Sequence, residues 1–151
     1  MRRILIALAL CAMTQSPAAA QDNSAVMAPV QHFVDAFNKG DAKAAAAVCA
    51  SQISIIDEFP PHIWNGPGAF AKWWKEYDAD AKKNGVTDGV VTLGAPKHVD
   101  VTGDLAYVVV PADYAYKQNG KPTKETGSIL TLVLQKSATG WRILAWSWSK
   151  A

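Results

Sequence analysis

Cysteine is scarce: Cys11 and Cys49 are the whole supply in 151 residues. Cys11 falls in an N-terminal segment of Met1-Arg2-Arg3, an apolar I-L-I-A-L-A-L-C-A-M and then S-P-A-A-A, the three-part layout of a secretory leader. Cleavage after Ala20 is expected, leaving one domain over residues 21–151, a lone thiol at Cys49 and no internal disulfide. The apolar run is too short to cross a bilayer. Leu10 rather than a small residue precedes Cys11, which speaks against a lipid anchor. Periplasmic or secreted localisation is the expectation, with no membrane partner once the leader is gone.

Net charge is lacking too. Without Arg2 and Arg3, the 15 basic residues become 13, against 13 acidic ones. A neutral chain with no Lys/Arg run offers no field for a polyanion, so nucleic acid is excluded as a partner. Histidine is limited to His32, His62 and His98, with neither H-x-H nor H-x-x-x-H spacing. No metal site is expected from that scatter, and no motif asks for a cofactor.

What the chain does have is apolar periodicity and six tryptophans. Val26, Val30, Phe33, Val34 and Phe37 recur at helical spacing, with Ser24 as a possible N-cap and Gly40 as the stop. Asp41 caps a second helix through about Ala50, and its A-A-A-A-V-C-A run makes Cys49 a buried hydrophobe rather than a nucleophile. Residues 53–56 read as a short strand halted by Pro60-Pro61. Asn65-Gly66-Pro67 reads as a helix start, followed by Phe70, Trp73, Trp74 and Tyr77 on one face up to Gly85. Strands are then predicted over 89–101, 105–117, 127–136 and 141–149, with a bend at Gly94-Ala95-Pro96 and an Asn119-Gly120 hairpin. Helices first and an antiparallel sheet afterwards define an α+β domain, with three helices on one face of a curved sheet and a wedge-shaped interior at its open end.

Three segments carry a resemblance: F-V-D-A-F-N-K-G-D, S-I-I-D-E-F-P-P-H-I-W-N-G, and G-S-I-L-T-L-V-L-Q-K with G-W-R-I-L-A-W-S-W-S. In order and spacing the chain resembles the nuclear transport factor 2-like superfamily, especially its SnoaL-like and ketosteroid-isomerase-like bacterial members. The resemblance implies a cone-shaped, cystatin-like roll of three helices on a curved sheet. It also implies a general-base aspartate nine residues before the glycine that opens the third helix, a relation in which Asp57 stands to Gly66. The isomerases further use a first-helix Tyr and an acid on the penultimate long strand. Phe33 takes the first place here, and residues 127–136 contain no Asp or Glu. The H-x-H-x-S pattern of the last strand in many relatives is A-W-S-W-S here, with Ala145 and Ser147 replacing the histidines.

Two readings of function stay open beside a third, in which the domain acts only through its outer sheet face as an interaction or assembly module. In the first, an apolar pocket binds a small hydrophobic molecule. Its expected walls are Phe33, Phe59, Trp64, Trp74, Tyr107, Tyr114 and Ser147, because aromatic walls suit flat apolar ligands. In the second, an isomerase, cyclase or dehydratase uses Asp57 as base, its pKa raised by apolar neighbours, with His62 or a Tyr hydroxyl assisting. On the last strand Trp146 and Trp148 share one side and Ser147 lies on the other. With Ser147 facing the pocket, the two Trp face outward, and a homodimer through the outer sheet face is expected to cover them.

Overall fold

The computed structural model describes residues 19–151, and the expected leader lies outside them except for Ala19 and Ala20. Helix α1 spans Ala19–Asn38, so it begins five residues before Ser24; no breaker interrupts Ala19 to Asn23. Gly40, at φ +67°, closes it. The Asp41 side chain then accepts the Ala44 N–H and starts α2, Ala42–Ala47, which ends before the expected Ala50. The residues after Ala47 go instead into β1, Cys49–Ile56, twice the predicted length because Cys49 pairs with Ile143 of the last strand.

Residues 63–67 correct the sequence reading. Ile63–Pro67 is a strand, β2, paired antiparallel with β1 from Ile56↔Ile63 to Gln52↔Pro67. Helix α3, Ala69–Lys83, starts only after Gly68, whose φ of +77° makes the turn. Next come β3 (Val86–Leu93), β4 (His98–Thr102), β5 (Leu105–Gln118), β6 (Lys121–Ser137) and β7 (Gly140–Ser149). The predicted strand over 89–101 is thus two strands parted at the expected bend.

The sheet runs β2-β1-β7-β6-β5-β3, with β4 on β5. Every pairing is antiparallel but one: β1 and β7 are parallel. The helices cover the inner face of this curved sheet. Even-numbered residues of β5 (Ala106, Val108, Val110, Ala112) and of β6 (Leu130, Leu132, Leu134) are buried there against Val26, Val30, Phe33 and Val34 of α1. Each such aliphatic side chain contributes roughly 1.5–3 kcal/mol by leaving water.

Two bulges decide which later side chains join that face. Val133↔Ala145 and Leu134↔Ile143 leave Leu144 as an extra residue in β7. Alternation is reset, so Ile143 and Trp146 are both buried. Ala112↔Ser128 and Tyr114↔Glu125 leave one extra residue in β6, at Gly127, whose φ is +80°. Past this bulge the inward positions of β6 are odd-numbered.

Candidate functional site

Where the helices stop short of the far ends of β5, β6 and β7, a hollow of about 240 Å³ remains. Phe33 and Phe37 of α1, Phe59 of the β1–β2 turn, and Trp73 and Tyr77 of α3 form one wall. Tyr114, Tyr116, Trp146 and Trp148 of the sheet form the other. Trp73 is central: its ring stacks on Tyr77 at 5.8 Å and meets Trp146 edge-on at 4.8 Å.

Asp57 directly follows β1 at this wall. Its Oδ2 accepts the Trp73 Nε1–H at 2.8 Å and its Oδ1 accepts the Glu58 N–H at 2.8 Å. Burial among rings pushes its pKa from 3.8 up to about 6, and the two donors offset only part of that. The carboxyl can therefore gain or lose a proton near neutral pH. Tyr77 and Tyr114 face each other across the hollow, hydroxyl to hydroxyl at 2.8 Å. One phenol proton makes that bond and the second is left to donate elsewhere; burial raises both phenols above their ordinary pKa, so both stay protonated.

The rim carries a charged bridge. Lys150 lies 3.0 Å from Glu58 and 3.0 Å from Glu125, and the Tyr116 hydroxyl donates to Glu125 at 2.9 Å. Glu125 Oε2 and Trp146 Nε1 are buried with no hydrogen-bond partner among the described residues. Tyr114 has little room to move, because a Cβ on Gly89 of β3 would run into its phenol ring. Gly89→Ala is expected to drive Tyr114 off Tyr77 and cost about 1–3 kcal/mol, seen as a lowered urea midpoint.

Of the residues singled out from sequence, Asp57, Phe33, Phe59 and Tyr114 come together around the hollow. His62 does not. It is exposed, at φ +72°, and its Nδ1 lies 3.2 Å from the Asp57 backbone oxygen instead of its carboxylate. Trp64 is 3 % exposed but packs behind Phe59 and donates to Glu76 Oε2 at 2.6 Å. Trp74 packs on Phe37 and Phe70 outside the lining, since neighbouring helix positions point about 100° apart and Trp73 takes the inward one. Tyr107, 46 % exposed, points out of the sheet. Ser147 is outside the lining, and Trp146 and Trp148 take the inward positions, because the bulge at Leu144 reverses the expected alternation.

Glu125 was missed from sequence. The strand expected over 127–136 contains no acid, whereas β6 begins at Lys121 and its bulge turns Glu125 inward. Gly127 is the signal that pointed to it: a glycine inside a strand pattern marks a bulge. Cys49, buried and bonded to the Ala45 carbonyl, has its thiol pushed up to about 12, the state of an inert packing residue. Among the described residues no group of three or more His, Cys, Asp or Glu is placed to hold a metal, and no helix is long and apolar enough to cross a membrane.

A helix-covered curved sheet with an aromatic hollow at its open end defines a class: the α+β, cystatin-like roll of nuclear transport factor 2-like proteins. Residues 26–151 match the SnoaL-like domain family, and the chain belongs to it. Similar solved structures include a ketosteroid isomerase-like protein from Erwinia carotovora atroseptica, at 20 % identity, TM-score 0.69, over 87 % of this chain and 97 % of that one. An NTF2-like protein with a cystatin-like fold from Novosphingobium aromaticivorans matches at 16 % identity, TM-score 0.69, over 86 % and 82 %. The CaMKII hub of S. rosetta matches at 21 % identity, TM-score 0.69, over 85 % and 95 %. At these identities the likeness establishes fold alone. No curated protein matches the sequence.

Proposed function

We propose that the hollow receives a small, largely apolar molecule. The observation that carries this reading is its lining: rings from α1, α3, β5 and β7 surround about 240 Å³ at the open end of the roll. A thermal-shift screen of small hydrophobic compounds tests it. A ligand at a hundredfold excess over its Kd stabilises by about 2.7 kcal/mol, which is roughly 5 °C or more for a domain of this size. A screen in which no compound moves the Tm overturns the reading.

A second reading is favoured by a specific pair of groups: Asp57, with its pKa near 6, faces the same space as the Tyr77–Tyr114 hydroxyls. A base and a phenol donor are what a proton transfer beside a carbonyl needs. In this reading the protein is an isomerase, cyclase or dehydratase. Asp57→Asn then abolishes turnover of an identified substrate, and unchanged turnover removes Asp57 from the role.

The proposal extends to context. The leader in the sequence supports export to the periplasm or beyond, and the intact mass of the exported protein should correspond to a chain starting at Gln21. The outer sheet face supports a homodimer: Ile56 and Ile63, each 54 % exposed, pair across β1 and β2, and Tyr107 stands beside Val133. Sedimentation should give a dimer at micromolar concentration that Tyr107→Asp returns to monomer; a monomeric wild type removes the dimer.

A further inference from the structure

The charges around the hollow bear on what kind of molecule it takes. Among the described residues four carboxylates line it, those of Asp57, Glu58, Asp80 and Glu125, against one ammonium, that of Lys150. Lys150 is already committed, 3.0 Å from Glu58 and 3.0 Å from Glu125. An anion entering here meets an acidic wall whose single cation is occupied.

The helix adds to the same sign. Asp80 lies in the last turn of α3, where the backbone carbonyls present the negative end of the helix dipole. Lys82 and Lys83 of that turn are exposed and outside the lining. Glu125 Oε2 is buried and accepts no hydrogen bond among the described residues, so the negative charge it carries is incompletely compensated by protein donors.

The remaining surface is aromatic, and the π faces of Trp, Tyr and Phe attract cations, most strongly where water is excluded. Trp146, 5 % exposed, also brings an Nε1–H that finds no acceptor among the described residues. An aromatic ring face can receive such an N–H. The volume of about 240 Å³ sits below the range of roughly 300–1,000 Å³ typical of drug-sized sites, so the guest is small.

We propose that the hollow selects a positively charged apolar molecule, an aryl- or alkylammonium whose charge faces the carboxylates of the lining while its apolar body lies among the rings. This rests on the reading of the hollow as a ligand site.

Isothermal titration with three probes of similar shape tests it: benzyltrimethylammonium, its neutral carbon counterpart neopentylbenzene, and the anion 3-phenylpropionate. The cation is expected to bind about tenfold or more tightly than the neutral probe, with the anion weakest. Glu125→Gln and Asp80→Asn should each lower the cation-to-neutral affinity ratio severalfold. A neutral probe binding as tightly as the cation, an anion binding best, or a ratio unmoved in both variants overturns the inference. A bound neutral probe in that case leaves the ligand-site reading standing. Failure of all three probes also overturns the inference, and the thermal-shift screen then decides the ligand-site reading on its own.

Discussion

Trp73→Ala is expected to lower the unfolding free energy by about 3–5 kcal/mol, a large share of the roughly 5–15 kcal/mol that a domain of this size possesses. Two effects add. The indole is 3 % exposed and touches Phe37, Phe70, Trp74, Tyr77 and Trp146, with centroids 4.8 to 6.3 Å away, so truncation opens a void in the middle of the aromatic wall. It also strips Asp57 Oδ2 of the Trp73 donor at 2.8 Å, leaving a half-buried carboxylate less well solvated. Urea denaturation measures the sum. Trp73→Phe separates the parts, because it keeps most of the packing and removes the N–H. Asp57 in that variant should titrate above the value of about 6 set by the intact site, and the deficit relative to wild type should grow between pH 5 and pH 8. A deficit that ignores pH would detach Trp73 from Asp57.

Asp57→Asn should reverse the sign of its effect on stability with pH. Burial raises this carboxyl from 3.8 to about 6, so the folded state holds the proton more tightly than the unfolded chain. Stability linked to that proton is complete below the unfolded value of 3.8 and is lost as pH rises through about 6. A rise of that size corresponds to about 3 kcal/mol at most, and partial solvent access trims it to about 2 kcal/mol. Asparagine never carries the charge, but it has one oxygen for two donors, the Trp73 Nε1–H and the Glu58 N–H, and leaving one unmet costs about 1 kcal/mol. At pH 8 the variant should therefore be more stable than wild type by about 1 kcal/mol, and near pH 4 less stable by about the same amount. Parallel denaturation curves at the two pH values decide it; a variant less stable at both would mean that Asp57 is comfortable as a charge.

Apart from β2, the order of helices and strands was legible because burial writes itself into apolar spacing. Val26, Val30, Phe33, Val34 and Phe37 recur every three or four residues, and all face the sheet or the hollow. The family resemblance singled out Asp57 by its distance to Gly66; Asp57 does line the hollow, but Gly66 opens no helix and sits in β2. Ser147, Trp146, Trp148 and Glu125 were misplaced or missed for one physical cause: strand alternation counts residues, and a bulge adds one. Leu144 moves Trp146 and Trp148 inward in place of Ser147, and the extra residue at Gly127 brings Glu125 to the rim. Tyr107 is a different matter. It lies seven residues from Tyr114 on an unbroken stretch of β5, so the two must occupy opposite faces, and the alternation of Ala106, Val108 and Val110 already showed which face was inside. His62 was beyond sequence reasoning, since its orientation depends on a left-handed backbone in a turn closed by the Asp57 N–H and the His62 carbonyl at 3.1 Å.

The claim on which the rest depends is that Asp57 stands in the wall of an apolar hollow that a small molecule can fill. Side-chain carboxyl titration by 13C NMR, with Asp57 assigned through Asp57→Asn, measures this directly. A midpoint near 6 in the free protein, displaced when a bound ligand occupies the hollow, is the predicted result. A midpoint at the ordinary value of 3.8, the same with and without ligand, would place the carboxyl in bulk water and contradict the account.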